Sequence, residues 1–104
     1  MDMVAARELR LFIDNDGDLY RQRTLPIIKN LCRKMKAGSY RSELAPKAWL
    51  YLVEDGARKY AEQFSIGTDW YLIFDVETRL SVARDLARHF GAEYSANQYQ
   101  GIAA

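Results

Sequence analysis

The stretch Ser42–Phe64 has the longest uninterrupted helical pattern in the chain, and it constrains the fold more than any other feature. Two adjacent rows of apolar or small residues run along it at four-residue spacing. The rows are Leu44, Ala48, Leu52, Gly56, Tyr60 and Phe64, and Ala45, Trp49, Val53, Ala57 and Ala61. Residues four apart share a helix face, so one wide face must be covered by other parts of the chain. The pattern predicts an all-α, single-domain bundle of four or five helices around this long central helix.

Helical spacing recurs in Val4–Ile13, Pro26–Ala37 and Val76–Phe90, and we expect the last two of these to pack on the central helix. Asp75 is predicted to begin the last helix, where an acidic residue favours the positive end of the helix dipole. The inward residues predicted for this helix are Val76, Leu80, Ala83, Leu86, Ala87 and Phe90. The short apolar run Trp70–Phe74 is expected to form a packed loop or a single helical turn, because no second strand is available to pair with it.

Turn-forming residues set the predicted helix boundaries. Gly17 and Gly38 are predicted to end helices, because glycine adopts positive φ without a steric penalty. Asp18 and Thr24 are predicted N-caps of the helices that follow them, and Ser42 is predicted to cap the central helix. Gly56 lies in the middle of that helix, where it indicates either a close approach by another helix or a kink.

Length and composition fit one folded domain. The chain has 104 residues, of which 49% are hydrophobic and 28% charged, as is usual for a globular protein. The bundle is predicted to occupy residues 1–94, and residues 95–104 are predicted to be a mobile tail. The longest apolar runs are far shorter than the roughly 20 residues that a spanning helix needs. The first ten residues lack the pattern of a secretory signal, so the expected location is the cytoplasm.

The chain offers little that predicts catalysis or metal binding. Cys32 is the only cysteine and His89 the only histidine, which argues against a zinc site, and Cys32 falls on the core face of its helix. The acidic run Asp14–Asp18 suggests a calcium loop. However, an EF-hand would need an oxygen ligand at Phe12 and a carboxylate at Arg23, so a polar capping turn is the better interpretation. We expect no enzymatic activity, no cofactor and no metal.

Charge is distributed unevenly. Residues 21–47 hold eight basic side chains and one acidic one, a net charge of +7 in a chain whose total is +1. The candidate binding residues in this segment are Arg21, Arg23, Lys29, Arg33, Lys34, Lys36, Tyr40, Arg41 and Lys47. Cations interleaved with tyrosines are typical of nucleic-acid contact. A solvated helix face and a docking site for an acidic protein remain open alternatives.

Large aromatic residues with polar edges are frequent in this chain, which has seven tyrosines and two tryptophans. Such residues often anchor interfaces, and not all of them can face one interior. Tyr51 lies off both small-residue rows of the central helix and is expected near the surface. The aromatic residues outside the core could contact a partner or a second copy of the chain.

The chain resembles a group of small, functionally uncharacterised proteins of tailed bacteriophages over roughly residues 7–94. The residues that carry the resemblance are Glu8-Leu9, Phe12-Ile13, Asn15-Asp16, Leu19-Tyr20, Pro26 to Leu31, Lys34, Gly38-Ser39-Tyr40, Leu52-Val53, Gly56-Ala57, Lys59-Tyr60, Phe64 and Val82-Ala83. Most of these positions are core residues, caps or turns, so they report fold rather than chemistry. The resemblance implies a phage origin and an accessory role during infection, and it assigns no catalytic or binding residue.

Three functional hypotheses follow from the sequence. The leading one is a non-enzymatic accessory protein that engages nucleic acid, or a nucleic-acid-handling complex, through its basic segment. The second is a protein-only inhibitor or adaptor of a host defence or transcription factor. The third is a structural protein that self-associates as a homo-oligomer.

Overall fold

The computed structural model describes residues 2–93 of the chain. Four long helices account for most of this range: α1 (Met3–Asn15), α3 (Leu25–Lys36), α4 (Ala45–Gln63) and α6 (Val76–Glu93). Between them lie two short α-helices, α2 (Gly17–Leu19) and α5 (Trp70–Ile73), and two 3₁₀ turns, Ser42–Leu44 and Gly67–Asp69. The central helix α4 therefore begins after Leu44, and Ser42 is not its N-cap, contrary to the prediction. No β-strand occurs within this range, so the prediction of an all-α helical bundle is confirmed. The predicted tail, residues 95–104, lies outside the described residues.

The centre of the bundle is α4, as its apolar rows predict. Trp49, Leu52, Val53 and Ala57 are fully buried, and α4 packs against both α6 and α1, which also pack against each other. The two ends of the first row do not follow the prediction, because Leu44 and Phe64 are 49% and 55% exposed. These two residues lie at the ends of the helix, where neighbouring elements no longer cover the face.

The close approach predicted at Gly56 is present. A Cβ atom on this residue would lie 2.6 Å from Ile13 Cγ1 of α1 and 2.9 Å from Ile13 Cδ1. Real Cβ atoms do not come this near to a neighbouring carbon, so only glycine fits without a shift. The absence of a side chain at Gly56 therefore allows α1 and α4 to pack closely.

The connection between α1 and α2 at Asp16, which we call the α1–α2 corner, differs from the prediction. Helix α1 ends at Asn15 because Asp16 takes an extended conformation, with φ −96° and ψ 106°. Gly17 does not end the helix with a positive φ; it is the first residue of α2. Asp16, not Asp18, is the N-cap, and its Oδ1 accepts the backbone N–H of Leu19 at 2.9 Å. The prediction of a polar capping turn is confirmed, but the capping residue is two positions earlier.

No helix break occurs at Thr24. Residues Tyr20–Thr24 form a π-helical turn between α2 and α3, and the hydroxyl of Thr24 caps nothing. The Leu25 N–H donates to the carbonyl of Tyr20, five residues earlier. Because Pro26 has no N–H and its ring crowds the preceding turn, a wider turn just before it accommodates the proline within continuous helical structure.

Helices α3 and α4 are each followed by a residue with positive φ. Gly38 has φ +73° and closes α3 through two hydrogen bonds, Gly38 N–H to the Met35 carbonyl at 3.2 Å and Ser39 N–H to the Lys34 carbonyl at 2.8 Å, as predicted. The same motif ends α4, but there Ser65 occupies the left-handed position with φ +56°. A serine in this conformation is strained relative to glycine.

The last two helices are close to their predicted positions. Helix α5 is a single helical turn, as expected. Asp75 begins α6 by accepting the backbone N–H of Thr78 at 2.8 Å, and this hydrogen bond holds the pKa of Asp75 below its usual value. Val76 is 60% exposed, contrary to the prediction, while Thr78 and Val82 are buried in its place. The buried stripe of α6 is therefore rotated toward residues that the apolar pattern did not single out.

Candidate nucleic-acid interface

The predicted binding residues centre on α3, an amphipathic helix. Ile28, Leu31 and Cys32 are buried in the hydrophobic core, and the burial of Cys32 was predicted. Opposite them, Lys29, Arg33, Lys34 and Lys36 are exposed; we call these four residues the α3 basic face. At about 100° per residue, Lys29, Arg33 and Lys36 fall within about 60° of the helix circumference, and Lys34 lies about 100° farther round the helix from Arg33.

Three of the predicted cations are engaged in ion pairs. Arg23 Nε lies 2.6 Å from an oxygen of Asp55 on α4, and Arg21 pairs with Asp18 one turn before it. Arg41 Nε lies 3.0 Å from Glu43 Oε1. Exposed pairs of this kind contribute little to stability. However, they reduce the positive potential at both ends of the basic segment.

The remaining five predicted cations are exposed and make no ion pair with residues 2–93: Lys29, Arg33, Lys34, Lys36 and Lys47. Lys47 belongs to the first turn of α4, and the other four form the α3 basic face. Positive charge in the described part of the chain is therefore least neutralised on α3. Arg33, Lys34 and Lys36 also lie in the last turn of α3, where cations interact favourably with the helix dipole.

Tyr40 and Arg41 adjoin one end of this face. Lys34, Tyr40 and Arg41 line a small cleft of 50 Å³ together with Leu31 of α3 and Ala45 of α4. Tyr40 is half-buried and packs against the core, so only part of its ring is accessible for stacking. The structure thus brings Lys34, Tyr40 and Arg41 together, and it places Arg21 and Arg23 before α3.

A second set of polar contacts lies near the C-terminal end of α4. Lys59 Nζ is 2.9 Å from Asp16 Oδ1 and 2.8 Å from Asp16 Oδ2. This contact lowers the pKa of Asp16 and raises that of Lys59. The Tyr60 hydroxyl donates to Glu8 Oε2 at 3.2 Å, and burial of the phenol raises the pKa of Tyr60. These contacts join α1 and the α1–α2 corner to α4.

The same two helices form a groove with a volume of 390 Å³. It is lined by Leu11 and Phe12 of α1 and by Tyr60 and Phe64 from the end of α4, together with Glu8 and Asp16. We call it the α1–α4 groove. The sequence patterns described above do not predict this groove. The available signal was weak: aromatic residues one turn apart at the end of α4, facing an aromatic residue of α1.

A cluster of arginines surrounds Trp70. The guanidinium carbons of Arg58 and Arg79 lie 5.2 Å and 5.1 Å from the centroid of the Trp70 ring. Glu54 on α4 lies 3.9 Å from both arginines. Cation–π contacts of this kind hold α5 against α4 and α6. We interpret this cluster as structural.

Within residues 2–93, no group of three or more histidine, cysteine or acidic side chains is arranged to hold a metal ion. None of the helices described is long and apolar enough to cross a membrane. Comparisons with protein-family models, with curated proteins and with solved structures find no match to this chain. Inference about function therefore depends on the surfaces described above.

Proposed function

We propose that this chain is a small non-enzymatic accessory protein, of the kind encoded by tailed bacteriophages, that engages nucleic acid through the α3 basic face. The observation that carries the proposal is the concentration on one helix of exposed cations with no acidic partner among residues 2–93. Other exposed cations of the chain, such as Arg58 and Arg88, pair with carboxylates. The α3 basic face is thus the positive surface that most needs an anionic partner.

The dimensions of the face suit a phosphate backbone. Lys29 and Lys36 are seven residues apart on α3, which corresponds to about 10 Å at roughly 1.5 Å per residue. Phosphates follow one another about every 3.4 Å of axis along each strand of duplex DNA, so the face spans about three of them. Contacts with phosphates carry no sequence information, and the expected binding is therefore largely independent of sequence.

The proposal is tested by titrating labelled single- and double-stranded DNA and RNA with the protein at about 50 mM and about 200 mM salt. Affinity is expected to fall by orders of magnitude across this range, because phosphate contacts release counterions. Replacing Lys29, Arg33 and Lys36 together with glutamine should reduce the slope of log K against log salt by about 2 to 3. Absence of binding at both salt concentrations would contradict the proposal.

A matched control separates the α3 basic face from net charge. The triple variant Arg7→Gln, Arg84→Gln and Arg88→Gln removes the same charge from exposed positions on α1 and α6. If the α3 basic face contacts the phosphates, this control should bind nearly as well as the original protein. If both triple variants lose the same affinity, binding depends on overall charge and the assignment to α3 is wrong.

A protein-binding role, as inhibitor or adaptor of a host factor, is the second candidate. It is favoured by the apolar surface of Tyr71, Leu72 and Ile73 in α5 and Val76 in α6, which are between 43% and 67% exposed. Contiguous exposed apolar side chains frequently mark protein interfaces. This candidate predicts a complex in nuclease-treated lysate that the double variant Leu72→Asp, Val76→Asp no longer forms, while the α3 glutamine variant forms it normally.

A further inference from the structure

The α1–α4 groove combines aromatic rings with an unpaired carboxylate. The rings of Phe12 and Tyr60 have centroids 5.4 Å apart, and those of Tyr60 and Phe64 are 4.5 Å apart, inclined at 54° and 41°. The Tyr60 ring is supported from behind by an edge-on contact with the buried Phe74, at 5.1 Å. The three rings therefore form a partly fixed surface whose faces carry negative electrostatic potential.

The charges of this groove are all of one sign. Glu8 and Asp16 are the charged residues that line it. Asp16 is neutralised by Lys59, whereas Glu8 makes no ion pair within residues 2–93 and accepts only the hydroxyl of Tyr60. An uncompensated carboxylate beside three aromatic rings attracts a cation and disfavours an anion.

The shape of the groove favours a side chain of a larger partner over a free small molecule. Leu11 and Phe64, on opposite walls, are 54% and 55% exposed, so the groove is shallow. Sites for small molecules usually bury most of the ligand surface, and this groove cannot. A long side chain whose backbone is held elsewhere could lay its alkyl stem along Leu11 and Phe64 and bring its charged end to Glu8.

We propose that the α1–α4 groove binds an arginine or lysine side chain of a partner polypeptide. The carboxylate of Glu8 pairs with the charged end, and the faces of Phe12, Tyr60 and Phe64 contact it through cation–π interactions. Each contact is weak at an exposed site, so the groove recognises one residue within a larger basic segment. This site is distinct from the α3 basic face and does not depend on its proposed function.

The test is a titration of the isotope-labelled full chain, followed by amide NMR shifts, with the capped tripeptide Ala-Arg-Ala. Saturable shifts are expected in the residues that line the groove. The tripeptide in which citrulline replaces arginine has nearly the same shape without the charge, and it should bind at least several-fold more weakly. Equal shifts with both peptides would show that charge is not recognised, and an absence of shifts at the groove would also overturn the proposal.

Two variants test whether the charge of Glu8 is what the arginine recognises. Glu8→Gln keeps a hydrogen-bond acceptor for Tyr60 but removes the charge, and it should weaken binding of the arginine tripeptide several-fold. Glu62→Gln removes another exposed carboxylate that makes no ion pair with the described residues and does not line the groove, and it should leave binding unchanged. Equal losses in both variants would overturn the assignment to Glu8.

The source of the cation is tested with butylguanidinium, which supplies the charged end and stem without a peptide. Because the proposed contacts are all made by the side chain, it should shift the same groove resonances with an affinity similar to that of the tripeptide. If it binds far more tightly than the tripeptide, the flanking peptide is excluded, the groove takes a free guanidinium-type cation, and the partner-polypeptide assignment is wrong. Occupation by a second copy is tested by the mass of the free protein in solution. A dimer that Glu8→Gln converts to monomer would assign the groove to self-association and would likewise overturn the proposal.

Discussion

Replacing Gly56 with alanine adds one methyl group at the closest approach of α1 and α4. That methyl carbon would lie 2.6 Å from Ile13 Cγ1, 2.9 Å from Ile13 Cδ1 and 3.7 Å from Leu19 Cδ1. Ile13 is only 4% exposed, so its side chain cannot swing into solvent to make room. The two helices must separate, or Ile13 must adopt a less favourable rotamer.

Two effects of opposite sign determine the size of the change. Alanine is favoured over glycine in a helix interior by about 1 kcal/mol, whereas an extra methyl group in a packed core costs about 1–3 kcal/mol. The expected net effect of Gly56→Ala is a loss of stability of up to about 2 kcal/mol. In an Ile13→Ala background both close contacts disappear, and the same substitution should stabilise the protein by about 1 kcal/mol.

The assay is urea unfolding of the four proteins of this double-mutant cycle, followed by far-UV circular dichroism. The expected coupling energy between Gly56 and Ile13 is about 1–3 kcal/mol. Ile13→Ala alone is expected to cost about 2–5 kcal/mol. If it leaves too little stability to measure, Ile13→Val removes Cδ1 at a smaller cost, and because it keeps the nearer carbon, Cγ1, only part of the coupling energy is then expected. A comparison of Tyr51→Ala with Tyr51→Gly, at an exposed position of α4, measures the difference in helix propensity between alanine and glycine in this protein.

Two results would contradict this prediction: stabilisation of the original protein by Gly56→Ala to the full amount that the Tyr51 pair gives, and zero coupling energy between Gly56 and Ile13. Either result would mean that α1 does not approach α4 at Gly56. The glycine would then need another explanation.

Two further predictions concern the ends of α3 and α4 and the half-buried ion pair between Asp16 and Lys59. Ser65→Gly should raise the free energy of unfolding by about 1 kcal/mol because glycine adopts the left-handed conformation without strain. Gly38→Ala should lower the free energy of unfolding by about the same amount for the same reason. Urea unfolding measures both changes, and changes in the same direction for the two variants would contradict this prediction. The Lys59 contact lowers the pKa of Asp16 below 3.8, so it stabilises the fold above that pH and its contribution is lost as the pH falls through the lowered pKa. Asp16→Asn should therefore be less stable than the original protein at pH 7 and should lose less stability on acidification, whereas Glu62→Gln, at an exposed position without an ion pair to the described residues, should behave like the original protein.

The sequence was sufficient for the long helices because their signal is local. The apolar spacing of α4 identified Trp49, Leu52 and Val53 as inward residues, and burial confirms them. Gly56 was informative for the same reason: a glycine within an otherwise regular helix requires a neighbour that comes close. Where burial depends on which element lies opposite, as for Phe64 and Val76, the pattern alone was wrong.

The helix boundaries were less predictable because several residues compete for one role. Asp14, Asp16 and Asp18 can all serve as N-caps, and the backbone conformation of the corner selects Asp16. Pro26 suggested a break at Thr24, but a π-helical turn absorbs the proline without one. A single sequence does not distinguish a break from a local widening of the helix, since both accommodate the hydrogen bond that proline cannot donate.

For the candidate site, the sequence located the cations but not their partners. Arg23 is paired with Asp55, which lies far along the chain on another helix, so its neutralisation depends on the fold. The α1–α4 groove was missed for the same reason. Phe12 and Tyr60 are separated by nearly half of the chain, and only the packing of α1 against α4 brings their rings to 5.4 Å.

The two proposed surfaces should respond oppositely to charge, which makes each a control for the other. The α3 basic face is proposed to bind phosphates, whereas the α1–α4 groove is proposed to bind a single cation through Glu8. Several phosphate contacts make nucleic-acid affinity fall by orders of magnitude between about 50 mM and about 200 mM salt, while a single ion pair supported by ring contacts should change little. The Lys29, Arg33 and Lys36 glutamine variant should therefore lose nucleic acid and retain the arginine tripeptide, and Glu8→Gln should show the reverse. If either variant loses both ligands while its unfolding transition is unchanged, the two ligands share one surface, and the separation argued from their charges is wrong.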